Sequence, residues 1–362
     1  MKGKEHIYKI APYEPGKPIE EVKRELGLSD VIKMASNENP LGPSPLALQA
    51  IREHLEEISY YPDGNCTILR QKLSEKLGFP PNCFVFGSGV DEIIHFLGLA
   101  FLDEGDEALT VEPSFVRYDA SALLNKAIIR KVPLKDYQYD VDALISAINE
   151  RTKLLFIANP NNPTGTFIDK EGLKRLLEKA KGKLVVLDEA YVEFVEDTTF
   201  PDSLLFLREG YDIIVLRTFS KIYGLAGLRI GYGIANEETV KAIEHIREPF
   251  NVNHLAQVAA VAALDDDEHI RKTQQVVWEG KRYLYEQFKE MGLRYIPSQT
   301  NFILVDVGKD SREVFRSLLR EGVIVRTGDI FGCPNFLRVT IGTEKQNERF
   351  IRALKKVLGG AL

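Results

Sequence analysis

The sequence predicts an α/β protein: a large domain with a mainly parallel sheet flanked by helices, plus a smaller α+β domain. Three observations carry that expectation. Short runs of uninterrupted apolar residues, 154–158 (LLFIA), 184–187 (LVVL) and 213–216 (IIVL), are separated by stretches of helical period. Strands that dispense with polar alternation are buried on both faces, as in a parallel sheet covered by helices. The chain's 362 residues exceed the roughly 100–200 of one ordinary domain. After about Leu264 the pattern changes to a long charged helix followed by strand, helix and strand.

Taken in order, Pro12, Pro15, Gly16 and Pro18 predict an extended N-terminal arm, and the turn-rich stretch 37–45 (NENPLGPSP) cannot be helix interior. A helix-period run follows over 45–54. Residues 154–158, 170–181 and 184–187 form a βαβ unit, and 213–216 and 229–235 read as further strands of the same sheet. Residues 265–291 read as one helix holding Trp278. Residues 301–305, 313–321 and 323–340 then give the strand, helix and strand of the smaller domain. The division expected is 1–45 for the arm with part of the small domain, 46–264 for the large domain and 265–362 for the small one.

Composition excludes several classes of function. Hydrophobic residues make up 44% and charged ones 28%, a globular mix rather than a disordered or rod-like one. Lys and Arg number 47 against 53 Asp and Glu, a net charge of −6, which lacks the basic excess of a nucleic-acid binder. A small molecule is the expected partner. Cys66, Cys83 and Cys333 are few and far apart, arguing against a disulfide framework or a structural zinc site and for a cytoplasmic location. No stretch approaches the ~18 apolar residues of a membrane span, so no membrane association is expected. His6, His54, His95, His245, His254 and His269 show no metal-ligand spacing, and no metal is expected.

In doubly wound sheets, ligands sit beyond the carboxyl ends of the strands. Those ends are polar here: NPNNPTG after 154–158, DEAY after 184–187 and RTFSK after 213–216 deliver Asn162, then Asp188 and Tyr191, then Ser220 and Lys221 to one crevice. Lys221 lies in TFSKIYGLAGLRIGY, where Gly224 and Gly227 let backbone approach a bulky ligand and Ser220 and Arg229 can donate to an anion. Such a lysine suits a Schiff base with a carbonyl cofactor. An ordinary ion pair is the plain alternative for a buried lysine. Pyridoxal phosphate needs a lysine for its aldehyde, an acid for its ring nitrogen, donors to its phenolic oxygen and an anion site. Lys221, Asp188, Tyr191 with Asn162, and Arg229 with Ser220 meet those needs in turn. Asp188 at the end of an apolar strand is costly without a cationic partner; otherwise it caps a turn. The turn in FGSGVDEIIHFLGLA opens a helix whose N–H groups at Gly89, Val90 and Asp91 can bind an anion, unless Ser88 or Asp91 simply caps it. Phe115, in VEPSFVRY, can stack on a planar ring or serve as core.

These motifs, NPNNPTG, LDEAY and SKIYGLAGLRIGY in this order, resemble the fold type I pyridoxal-phosphate aminotransferases. Within that group APYEPGKPIEEV, NENPLGPSP, YYPDG, DEAYVEF and IVRTGDIFGCPNFLRVTIGT resemble the histidinol-phosphate aminotransferase family over essentially the whole chain. The resemblance implies transamination between L-histidinol phosphate and 2-oxoglutarate, as a step of histidine synthesis. It implies pyridoxal 5'-phosphate as cofactor, joined to Lys221, which then moves a proton as the catalytic base. Asp188 would pair with the ring nitrogen, Tyr191 and Asn162 with the phenolic oxygen, and Gly89, Val90, Asp91, Ser220 and Arg229 with the phosphate. Tyr61 would reach a neighbouring subunit's cofactor, implying a homodimer with shared active sites. Relatives commonly have Tyr where this chain has Phe115, so stacking survives but a hydroxyl contact does not. Arg338 matches the arginine that pairs with a carboxylate, a bidentate role suited to Arg, while Arg326 and Tyr13 match the substrate's phosphate end; a solvated strand end is the alternative for Arg326. The cofactor motifs alone leave a phosphothreonine decarboxylase or an aromatic-amino-acid aminotransferase on the same scaffold as alternatives. A non-catalytic sensor on this scaffold would be expected to carry a DNA-binding module, and no basic N-terminal domain is present.

Overall fold

Apolar runs that alternate between two faces need cover on both, and the computed structural model, which describes residues 2–10, 12 and 16–359, supplies it. In chain order the strands begin with β1 (Ile32–Lys33), β2 (Phe84–Gly87), β3 (Glu107–Glu112), β4 (Ile128–Pro133) and β5 (Thr152–Ala158). They continue with β6 (Leu184–Asp188), β7 (Ile213–Thr218) and β8 (Gly231–Ala235), then β9 (Tyr295–Ile296), β10 (Phe302–Asp306), β11 (Val323–Ile324), β12 (Arg326–Thr327) and β13 (Phe336–Thr340). Among the described residues, β2 to β8 form a seven-stranded sheet in the order β2-β8-β7-β6-β5-β3-β4. Its pairs are parallel from β4 across to β7.

The side-chain period of two divides each central strand between the faces. Leu155, Ile157, Val185, Leu187, Ile213 and Val215 join one apolar cluster, roofed by Leu173, Leu176 and Leu177 of helix Lys170–Lys179. Leu154, Phe156, Val186, Ile214 and Leu216 join the other, roofed by Ile93, Ile94 and Leu97 of helix Val90–Phe101. Each such side chain contributes roughly 1.5–3 kcal/mol by leaving water, so the sheet is a rigid floor for the residues at its carboxyl edge.

Two strand expectations are corrected. The run 229–235 belongs to the sheet but pairs antiparallel with both β2 and β7, and it begins at Gly231. Arg229 stands outside it with a left-handed backbone, φ +58°, in the turn that reverses the chain. The run 323–340 is three short strands rather than one: the turn at Asp329–Phe331, ended by Gly332 in left-handed conformation, breaks it. The expected helix over 265–291 spans Asp267–Glu290, because the Asp266 side chain accepts from the His269 amide and sets its start. The arm is non-helical at Gly16 to Pro18 but carries a helix at Ile19–Leu26, ended by left-handed Gly27, which its prolines do not foretell. Pro15 and Tyr13 lie outside the described residues.

β9, β10, β12 and β13 form a four-stranded antiparallel sheet. β1 pairs in parallel with β11, so residues after β1 return to the carboxyl edge of the large sheet. They are fastened there: the Ser44 amide donates to the Tyr223 carbonyl at 3.2 Å. Gly224, at φ +71°, lies so close to the Gly42 carbonyl that a β-carbon would collide with backbone. The turn-rich stretch and the Lys221 loop are thereby interlocked.

Candidate active site

Three successive strand ends and two incoming loops surround a cavity of about 310 Å³. Its walls include Val90, Asp91, Phe115, Asn162, Asp188, Tyr191, Ser220, Lys221, Arg229, Arg326 and Arg338. The structure therefore brings together eleven of the residues singled out from the sequence. Gly89 caps the helix beginning at Val90 and adjoins them. Tyr61 is not among them: it is 83% exposed and stacks on Phe250 at 4.8 Å between ring centroids. Tyr13 falls outside the described residues.

Asp188 ends β6, where the strand's apolar burial carries the carboxylate inside with it; it is 6% exposed. Burial pushes its carboxyl up to about 6, against hydrogen bonds from Tyr118 and the Ala190 amide that favour the charged form. The Tyr118 hydroxyl donates to Oδ2 at 2.8 Å and the Ala190 N–H to Oδ1 at 3.2 Å. Both donors are neutral, so the carboxylate fits a cationic ring nitrogen. Glu189, the next residue, pairs instead with Arg217 of β7, whose Nε and Nη2 lie 3.0 and 2.8 Å from Oε2.

Lys221 follows β7. Its Nζ donates to the Ser36 carbonyl at 3.2 Å and lies 5.7 Å from the Tyr191 ring centre. Burial, then the Arg338 guanidinium, hold its ammonium down at about 8. A lysine so placed is neutral often enough near pH 7–8 to act as a nucleophile and a base. The Tyr191 hydroxyl accepts from Asn37 Nδ2 at 3.0 Å, which leaves its own proton to donate.

The anion-binding elements lie at two ends. At one, Gly89 (φ +79°) opens helix Val90–Phe101 without a side-chain cap, leaving first-turn N–H groups available to an anion. The N-cap is Gly89 and makes no side-chain cap bond, so neither Ser88 nor Asp91 caps this helix; the Ser88 amide donates to Glu92 Oε2 at 2.6 Å. Arg229 Nη2 packs where a β-carbon on Gly89 would stand, and lies 3.8 Å from Asp91 Oδ2. At the other end Arg338 and Arg326 face each other across β12 and β13. Like charges placed directly opposite are destabilising, an arrangement that suits an anion received between them. Arg338 is buried; its Nη1 donates to Asn162 Oδ1 and its Nη2 to the Ala35 carbonyl, both at 2.7 Å, and its guanidinium lies 5.3 Å from the Phe302 ring centre. Phe115, Asn162, Arg326 and Arg338 also border a second cavity of about 460 Å³ that opens beside the first.

The set fits pyridoxal phosphate on the donor chemistry alone: a depressed lysine, a buried carboxylate supported only by neutral donors, a helix start relieved of a β-carbon and a phenol with a proton to give. No group of three or more His, Cys, Asp or Glu able to hold a metal ion occurs among the described residues.

Two contributors escaped the sequence reading. Tyr118 falls on an apolar helical face and reads as core. Asn37, in the turn-rich stretch, is 1% exposed with φ +56°. Besides its side-chain bond to Tyr191, its backbone N–H donates to Thr340 Oγ1 at 2.9 Å and its backbone carbonyl accepts from Asn301 Nδ2 at 3.0 Å. The turn signal was visible in both NENP and NPNNPTG, but nothing local distinguishes Asn37 as a partner of Tyr191.

Known proteins resemble this chain over most of its length. Residues 29–354 match the model for "Aminotransferase class I and II". The chain is 54% identical to a histidinol-phosphate aminotransferase of Moorella thermoacetica, over 99% of this chain and 93% of that one. It is 50% identical to one of Caldicellulosiruptor saccharolyticus, over 98% and 99% respectively. Among solved structures, the histidinol-phosphate aminotransferase of Sinorhizobium meliloti in complex with pyridoxal-5'-phosphate superposes with a TM-score of 0.89 at 26% identity, covering 98% of this chain and 97% of that one.

Proposed function

The chain belongs to the class I and II aminotransferases, and from that premise we propose that it transfers the amino group between L-histidinol phosphate and 2-oxoglutarate, giving imidazole acetol phosphate and L-glutamate, a step of histidine biosynthesis. Its cofactor is pyridoxal 5'-phosphate. The observation that carries the mechanism is the convergence of Lys221, Asp188, Tyr191 and the Arg326–Arg338 pair on one cavity.

When bound, the cofactor supplies an aldehyde carbon and an electron-withdrawing ring. Asp188, buried in the cavity wall, would pair with the ring nitrogen and keep it positively charged. Tyr191 and Asn162 would bind the phenolic oxygen; Tyr191 is oriented by the Asn37 side-chain amide. Val90, Asp91 and Gly89 offer backbone N–H groups, and Ser220 and Arg229 side chains, to the phosphate. Phe115, on the cavity wall, would stack on the ring. Lys221, held by the Ser36 carbonyl, would take the proton from the substrate carbon bearing nitrogen and hand that same proton to the cofactor's former aldehyde carbon.

The same pair of arginines serves both substrates. Histidinol phosphate has a phosphate and no carboxylate, whereas glutamate has two carboxylates, so the site must accept each anion in turn. Arg338 takes a carboxylate in bidentate fashion, and Arg326, with Tyr13, takes the phosphate end.

A homodimer with shared sites belongs to this reading. Tyr60, Tyr61, Ile58 and Ile68 are 65–83% exposed on one stretch of chain, with Phe250 stacked on Tyr61. Exposed apolar groups so concentrated mark a protein contact, and Tyr61 would reach the partner's cofactor phosphate from there. A cytoplasmic location is consistent with the free thiols Cys66, Cys83 and Cys333, and no helix among the described residues is long and apolar enough to cross a membrane. The division into 1–45, 46–264 and 265–362 is part of the same reading.

The test is a half-reaction. Cofactor-loaded protein mixed with excess histidinol phosphate and no oxo acid is expected to release one equivalent of imidazole acetol phosphate per site, without ammonia, by mass spectrometry. Lys221→Ala releases none. Release of carbon dioxide from phosphothreonine, with histidinol phosphate untouched, would overturn the assignment in favour of a decarboxylase.

A further inference from the structure

We propose that Tyr118 is a positioning residue for this chemistry: its hydroxyl keeps Asp188 ionised and fixes the direction in which the carboxylate faces the ring nitrogen. The proposal rests on the assignment of Asp188 made above.

Tyr118 is fully buried and has no route to water. Its ring stacks on Phe156 of β5, centroids 4.9 Å apart and planes 7° apart, and Phe115 meets its edge at 5.6 Å and 83°. A phenol fixed on two sides cannot turn to another acceptor, and it donates at 2.8 Å to Asp188 Oδ2. A buried hydroxyl does not need a carboxylate in order to be satisfied. Nearby Tyr139 donates to the Ala158 carbonyl at 2.5 Å. Tyr118 is instead bound to the acid itself. Phe115 and Tyr118 are three residues apart, about one helical turn, at the start of helix Arg117–Leu124. That turn thus carries both the aromatic wall of the cavity and the donor to its acid.

Without the donor, the surroundings favour the neutral acid. Asp91 at the start of helix Val90–Phe101 and Glu189 beside it in sequence both oppose a negative charge, as does burial itself. Tyr139 and Tyr191 face the same carboxylate as phenols whose ionisation burial suppresses. Lys221, across the cavity, is held toward its neutral form. Tyr118 and the Ala190 amide are the groups that favour the charge. A hydrogen bond to a charged acceptor is among the stronger ones a side chain makes, enough to move the titration by about one pH unit or more.

The experiment titrates the full chain with pyridoxal phosphate and measures the binding constant between pH 5 and 8.5 for the native sequence, Tyr118→Phe, Asp188→Asn and the double variant. Tyr118→Phe removes one oxygen and retains the ring packed on Phe156. Its acid limb of binding is expected to move upward by about one pH unit, with binding roughly fivefold weaker at pH 6 and roughly tenfold weaker at pH 5. Asp188→Asn abolishes the limb, and Tyr118→Phe adds nothing in that background. If Tyr118→Phe keeps the native limb while Asp188→Asn loses it, the role of Tyr118 falls and that of Asp188 stands. If Asp188→Asn leaves both affinity and limb unchanged, the assignment of Asp188 falls, and this proposal with it.

Discussion

At the scale of the residue, Asp188 imposes a cost on the chain that carries it. The folded carboxyl titrates at about 6, the unfolded one at about 3.9. Between those values the unfolded chain has released a proton that the folded chain still holds, so stability falls as pH rises through the window. The loss is complete above about pH 6 and absent below about pH 4. Roughly two pK units correspond to about 2–3 kcal/mol. Asp188→Asn should therefore stabilise the cofactor-free chain by that amount at pH 7 in urea unfolding, with the gain vanishing at pH 4; equal midpoints at pH 7 would contradict it. The acid was legible in the sequence, because a carboxylate closing an all-apolar strand is conspicuous. Tyr118 and Asn37 were not. Each acts on a residue 70 or more positions away, and a tyrosine on an apolar helical face or an asparagine in a turn has an adequate local explanation.

At the scale of the element, the start of helix Val90–Phe101 depends on having no β-carbon at Gly89. Its φ of +79° strains any other residue, by about 1–3 kcal/mol, and Arg229 fills the space a side chain would need. Gly89→Ala is expected to lower stability by that amount and to weaken pyridoxal phosphate binding at least tenfold, since the displaced guanidinium belongs to the same anion site. Unchanged binding in a cofactor titration would remove Arg229 and this helix start from the phosphate site. The parallel strands were readable because burial on both faces leaves an unbroken apolar run. The direction of β8 was not, since β7 and β8 are linked by the Lys221 loop, whose length and glycines suit either sense. The run 323–340 misled because its apolar residues continue through Ile330 and Phe331, which belong to a turn.

At the scale of the whole molecule, the exposed Tyr60, Tyr61, Ile58 and Ile68 lead to a complementation test. Tyr61→Ala and Lys221→Ala chains, each inactive or nearly so alone, should regain roughly a quarter of native activity when refolded together, because a mixed twofold dimer holds one intact site. No recovery, or a fully active monomer in sedimentation, would remove Tyr61 from the partner's site. The interlocking of distant segments has a further effect, on synthesis. Ser36 and Asn37 meet Lys221 and Tyr191 in the finished cavity, yet they are placed by β1 on β11 and by Thr340. At about 5–20 residues per second, the ribosome needs roughly 15–60 s to make the 303 residues between Asn37 and Thr340. Over that interval the large sheet can be laid down while one wall of its pocket waits for its support. The emerging chain thus gains its floor long before its catalytic competence, and a cofactor arriving early meets a half-built shelf.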